Sequence, residues 1–189
     1  MAGHNVWHID GNFQPSSFDS MRVRKHQGIA APIAFDHIPL PSDLVHAVKS
    51  QASIFDDVVI DCGGFDSATM REAMLLADVI VIPFRTKGYD SWALKQMADL
   101  CAKAQAMRPH VRIMAFLNET KPGFRPAENK RAADALAQYP AIPYVDAPIV
   151  KRDAFPDSSL VGLSVFETKP ADPKAGLELA RLLKLIFGE

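Results

Sequence analysis

Short apolar runs alternate along the chain with stretches of helical periodicity. Val58-Val59-Ile60 is an unbroken β-branched run, a pattern that suits a strand buried on both faces. Residues 78–84 (Asp-Val-Ile-Val-Ile-Pro-Phe) predict a second buried strand, and residues 111–117 a third. Residues 6–10, 33–38 and 142–145 read as shorter strands. Helices are predicted over 18–26, 41–54, 67–76, 90–107, 126–138, 152–160 and 173–187. Pro41 or Ser42 opens the second of these and Asp66 or Ser67 caps the third. Leu94, Met97, Cys101 and Ala104 form the apolar stripe of the longest, and Leu179, Leu182, Leu183 and Ile186 that of the last. Gly3 has the look of a helix C-cap ahead of the first strand, although no helix precedes it.

Strand-helix alternation of this kind specifies an α/β fold: a mostly parallel, doubly wound sheet with helices on both faces. The 189 residues suffice for a single domain, expected to span 1–189. At 48% hydrophobic and 23% charged the composition is that of a folded globular protein. A formal net charge of −1 gives no global basic field, which leaves only a local basic face for polyanions. Cys62 and Cys101 lack metal-ligand spacing and both sit in apolar segments, so they are expected to be reduced, buried thiols. No apolar run reaches membrane-spanning length.

In a parallel sheet every strand's C-terminal end points to one rim, where such sheets bind ligands. Asp10, Asp61 and Asn118 each follow a predicted strand, so they are expected to converge there. Gly63 and Gly64, just beyond Asp61, let the backbone turn tightly and come close to a ligand. Two carboxylates and an amide suit a nucleotide with a metal: one carboxylate to hold Mg²⁺ through its waters, another group to orient a water, an amide to meet a base edge. Each residue alone has a plainer use, as a helix cap or a turn residue.

These segments carry a resemblance. Residues 6–14 (Val-Trp-His-Ile-Asp-Gly-Asn-Phe-Gln) resemble the Asp-x-Asp-Pro-Gln segment of the ParA/MinD deviant Walker P-loop ATPases. Residues 57–64 resemble that family's Walker B strand, and 77–83 with 89–94 its next strand and helix start. Phe116-Leu117-Asn118 resembles the strand whose Asn reads adenine, and 149–155 with 162–167 the C-terminal signature of the ParA partition branch. Order and spacing agree from Gly3 to the end. The resemblance implies a P-loop NTPase type of sheet, with Asp61 in the Mg²⁺ shell, Asp10 and Asn12 in the catalytic segment, Gly63 and Gly64 beside the nucleotide, and Asn118 on adenine.

The sequence departs from the family at two points. The family's second Asp, linked to the attacking water, is Asn12 here, and an amide cannot be an anionic base. No Lys-Gly-Gly-x-Gly-Lys-[Ser/Thr] P-loop occurs in the sequence. The resemblance therefore implies a chain that starts inside the family's first helix and lacks the first, P-loop strand, which would leave the Asp61 strand and the 78–84 strand either with open edges or paired to each other.

The expected function is that of a ParA-like ATPase of plasmid or chromosome partitioning, unable in this form to hydrolyse ATP. The alternative is a non-catalytic pseudo-ATPase module that binds DNA or a partner protein. The family implies ATP and Mg²⁺ as cofactors, an ATP-dependent homodimer, a ParB-like partner protein, and a cytoplasmic, nucleoid-associated location. It also implies non-specific DNA binding, for which Lys151, Arg152, Lys121, Arg125, Lys130 and Arg131 are the candidates. No membrane contact is expected, because the 177–187 stretch reads as the domain's last packed helix.

Overall fold

A computed structural model describes residues 3–29, 33–63, 66–85, 91–121 and 126–188. The chain divides into two compact units, residues 1–76 with 157–164, and residues 77–156 with 165–189.

The first unit is built on three parallel strands in the order β2-β1-β3: β1 (Val6–Asp10), β2 (Ala34–His37) and β3 (Asp57–Asp61). The register sets Asp10 against Asp61 and against His37, so three strand ends share one rim. Side chains alternate across β1 as the pleat requires. Trp7 and Ile9 point into a core with Leu44 of α2 (Pro41–Gln51) and Ala73 of α3 (Ala68–Leu76). Trp7 also stacks on Phe55, ring centroids 5.2 Å apart, and donates its indole N–H to Asp36 at 2.8 Å. His8 and Asp10 take the other face, towards α1 (Ser16–His26). The helix predicted over 41–54 becomes α2 plus a 3-10 turn at Ala52–Ile54. Of the two candidate caps of α3, Ser67 Oγ accepts the Met70 N–H at 3.1 Å, while Asp66 is taken by Arg71 at 2.6 Å. Residues 157–164 close this unit against α1. Buried Arg24 donates to the Gly162 carbonyl at 3.0 Å, and Ser20 Oγ to the Ser159 carbonyl at 2.7 Å. Gly162 has a φ of +68°, and a Cβ there would collide with the Arg24 backbone.

The second unit holds a parallel pair, β4 (Val79–Arg85) and β5 (Arg112–Asn118), linked by α4 (Ser91–Met107). Leu94, Cys101 and Ala104 of the predicted α4 stripe are buried. Helices α5 (Pro126–Leu136), α6 (Ala154–Leu160, which spans the division between units) and α7 (Pro173–Phe187) follow. Asp172 caps α7 with its side chain, accepting N–H groups from Lys174 and Ala175. Leu182 and Ile186 of α7 pack with Phe116, Ala147 and Ile149. The strand expected over 142–145 is reduced to one parallel bridge, Tyr144 to Ala115, because only one residue pairs in the ladder geometry. Cys62 and Cys101 are free thiols; Cys101 is buried as expected, Cys62 only half-buried, and desolvation pushes the pKa of each thiol up to about 11.

The parallel α/β expectation holds, with the strands in two sheets rather than one. β3 ends the order β2-β1-β3 of one sheet, and β4 pairs with β5 in the other. Among the described residues each keeps an edge without a neighbouring strand of its own sheet, and Val59 of β3, expected to be buried, is 47% exposed.

Candidate functional site

The rim of the first unit brings together Asp10, Asn12, Asp61 and Gly63. Asp10 is fully buried at the end of β1. Its Oδ1 accepts the Asn12 backbone N–H and the Asn12 side-chain amide, both at 3.0 Å. Its Oδ2 accepts the Ser17 N–H at 3.0 Å, the Ser17 hydroxyl at 2.8 Å and the Phe18 N–H at 3.0 Å. The Ser17 and Phe18 donors belong to the first turn of α1, whose N–H groups have no partner within the helix. Asp10 thus caps α1 from the preceding strand and orders the loop between them. Burial pushes its carboxyl up, but the hydrogen bonds from Phe18, Asn12 and Ser17 outweigh this and hold it below the ordinary carboxylate value.

The loop after Asp10 is pinned from several sides. Gly11 N–H donates to the Asp61 carbonyl at 2.8 Å. His37 Nε2 donates to the Asn12 carbonyl at 2.7 Å, and its ring lies 5.9 Å from that of Phe18. The Asn12 Oδ1 lies 2.8 Å from where a Cβ on Gly63 would be, so the bare glycine leaves room for the carboxamide. Beneath the rim, His8 Nε2 is 3.0 Å from Ser17 Oγ. Because the Ser17 proton points to Asp10, His8 donates here. Burial lowers the His8 pKa, against the opposing pull of Asp61 and Asp10, which favours the neutral ring.

Asp61 differs from Asp10. It is half-buried, and its carboxylate takes no hydrogen bond among the described residues. Of the two aspartates on this rim it is the one not committed to the α1 cap. No group of three His, Cys, Asp or Glu side chains able to hold a metal ion occurs among the described residues. One carboxylate fits the way Mg²⁺ is usually held, through one or two carboxylates with waters and phosphates completing the shell. A firm metal site on protein ligands alone would not fit it.

Asn118 ends β5 in the second unit, opposite Arg85 in register. The next residue, Glu119, has a φ of +52° and pairs with Arg85 at 2.9 Å. Gly64 and Arg125 lie outside the described residues. Of the remaining basic candidates, Lys151, Lys130 and Arg131 are exposed, Lys121 is half-buried, and Arg152 is bound to Glu178 at 2.6 Å. No helix among the described residues is long and apolar enough to cross a membrane. His8, Ser17 and His37 were not picked out from the sequence. The pair of serines at the start of α1 was the available signal for the cap, while the histidines are set only by strand register.

The parallel, helix-flanked sheets, with an acidic residue ending β3, define an α/β protein, and comparison with solved structures places it in the P-loop NTPase fold class. Comparison with known proteins gives the nearer likeness. Over 147 residues the chain is 27% identical to the maintenance of carboxysome distribution protein A of Halothiobacillus neapolitanus, which spans 77% of this chain and 67% of that protein. An ATP complex of a Cyanothece McdA variant is similar with a TM-score of 0.69 and 13% identity, covering 99% of this chain and 86% of the other. MinD of Pyrococcus horikoshii with Mg-ADP is similar with a TM-score of 0.65 and 16% identity, covering 98% and 86%. A ParA-family ATPase and a cobyrinic acid a,c-diamide synthase share the fold as well. No family model matches the sequence. These findings bear out the resemblance to the ParA/MinD ATPases.

Proposed function

We propose that the chain is a ParA-like positioning or partition protein whose rim at Asp10, Asn12, Asp61 and Gly63 faces the phosphates and Mg²⁺ of ATP. The observation that carries this reading is the division of labour between the two aspartates. Asp10 is spent on the cap of α1, and Asp61 keeps its carboxylate open at the end of β3. Asn118 is the residue proposed to contact adenine. The neighbours that contain ATP or Mg-ADP support the choice of nucleotide and metal. The relative's role in carboxysome distribution supports a cargo-positioning role, with plasmid or chromosome segregation as the other cargo class. An ATP-dependent homodimer, non-specific DNA binding through Lys151, Lys130 and Arg131, and a ParB-like adaptor complete the proposal.

The 189-residue chain is expected to hydrolyse no ATP, since the sequence contains no P-loop lysine and Asn12 offers no anionic base. Phosphate release measured with Mg-ATP tests this directly, and Mg²⁺-dependent turnover above background would refute it. Equilibrium binding of a fluorescent ATP analogue, with Asp61→Asn as the control, tests the site. Mg²⁺-dependent binding that the variant loses supports it, and binding that the variant retains unchanged removes Asp61 from it.

A second reading, a non-catalytic module that binds DNA or a protein partner, is favoured by the amide at position 12. Binding of random-sequence duplex DNA that does not respond to nucleotide would select it.

A further inference from the structure

Thr120 is 2% exposed although it lies beyond the end of β5, two residues past Asn118. A second segment of the chain holds it there. Ile149 donates its N–H to the Leu117 carbonyl at 2.8 Å, Thr120 to the Ile149 carbonyl at 3.0 Å, and Lys151 to the Thr120 carbonyl at 2.8 Å. Residues 149–151 thus fasten the backbone on both sides of Asn118. Between the two points of attachment the chain turns through Glu119, whose φ of +52° is costly for a residue with a Cβ. Arg85 donates two N–H groups to the Glu119 carboxylate, at 2.9 and 3.1 Å. A turn of this kind persists where its surroundings over-determine it.

Residues 149–151 are held in turn by α7. Glu178 accepts the Val150 N–H at 3.1 Å, Arg152 Nη2 at 2.6 Å and Arg152 Nε at 3.3 Å. Arg152 Nη1 is also 4.0 Å from Asp172, the cap of α7. At the other end of the helix Arg112, which starts β5, donates to the Leu185 and Ile186 carbonyls at 3.0 and 3.2 Å. A bidentate arginine–carboxylate pair fixes orientation as well as distance. The Asn118 carboxamide on this frame is half-buried and makes no side-chain hydrogen bond among the described residues. An amide offers one donor and one acceptor, which match the amino and ring-nitrogen edge of adenine, whereas guanine presents two acceptors there. The match holds only in one orientation of the amide.

We infer that Arg152 and Glu178 are positioning residues that hold the 118–120 strand end and so aim the Asn118 carboxamide at a base. The aim at a base rests on the nucleotide reading; the fastening itself rests on the hydrogen bonds alone. Arg152, a candidate for DNA from the sequence, is spent on this task.

Amide hydrogen exchange of the 189-residue chain, as wild type, Arg152→Ala and the milder Arg152→Lys, tests the fastening without any ligand. In Arg152→Ala the Thr120 and Lys151 amides are expected to lose about tenfold in protection, and less in Arg152→Lys, while residues 113–115 of β5 exchange as in wild type. Unchanged protection at Thr120 and Lys151, or equal loss all along β5, overturns the inference. Binding of ATP and GTP that carry the same ribose fluorophore tests the aim. Arg152→Lys is expected to narrow the preference for adenine by roughly threefold. A preference that stays the same while exchange loosens overturns the positioning role. A wild-type chain that binds neither nucleotide refutes the nucleotide reading and with it the aim at a base, whereas the exchange result decides the fastening independently.

Discussion

Strands β3 and β5 are both parallel, both built on apolar runs and both ended by a polar residue, Asp61 in one and Asn118 in the other. Their surroundings differ. Every residue of β5 from Ile113 to Leu117 is buried. On one side it has β4, and on the other its backbone is met by the 143–150 segment, through Ala115 N–H to the Pro143 carbonyl, Val145 N–H to Ala115 and Ile149 N–H to Leu117, each at 2.8 Å. Among the described residues β3 has β1 on one side and no strand of its sheet on the other, with Val59 left 47% exposed. An unbroken β-branched run therefore records a capacity for burial. Whether it is used depends on what meets the second edge and second face.

The sharpest test of that contrast is a pair of truncations. Leu117→Ala, at a site with no exposure, is expected to cost about 3 kcal/mol in chemical denaturation. Val59→Ala is expected to cost under about 1 kcal/mol, since less than full burial is lost. Equal losses would break the comparison. Next in size is Asp10→Ala, which strips the acceptor from Ser17 and Phe18 and is expected to cost about 2 kcal/mol. Hydrogen exchange should show the loss in α1 and not in β5.

A graded pH response comes next. His8 has a folded pKa below its ordinary value of about 6.5, so the unfolded chain binds the proton first and stability declines as pH falls below that value. The depressed Asp10 carboxyl contributes stability that is present above the ordinary carboxylate value of about 4 and lost as pH falls through its folded value. In urea titrations across pH, His8→Gln should remove the upper part of the decline and leave the lower. The smallest effect on stability belongs to Val59→Lys, expected within about 0.5 kcal/mol at an exposed position. It should instead reduce self-association in light scattering, since a lysine blunts a strand edge. Unchanged association would mean that the β3 edge is not what copies meet through.

Element type and order were legible in the sequence because apolar periodicity and caps are local. The Pro173–Phe187 helix agrees at both ends, since Asp172, Pro173 and Gly188 punctuate it. The 142–145 strand was not legible as a bridge, because its apolar run says nothing about how many residues find a partner. The rim was half legible. Strand ends and parallel topology placed Asp10 beside Asp61, but which aspartate is spent on a cap depends on where the first turn of α1 lies. His37, which donates to the Asn12 carbonyl, and Gly63, which leaves room for its carboxamide, lie 25 and more positions away and come close only through the tertiary fold.

The Arg24–Gly162 contact has a consequence for how the chain is made. It joins residues 138 apart, and the Ser20–Ser159 contact joins residues 139 apart. A chain emerging from the ribosome would expose α1 and its strands long before residues 157–164 exist to cover them. The first unit is thus begun ahead of the second and completed only after the whole of 77–156 has been made. Contacts of such long range slow folding and lengthen the time an unfinished sheet spends exposed. Truncation after residue 156 would then remove part of the N-terminal unit, although the cut falls in the C-terminal half of the chain.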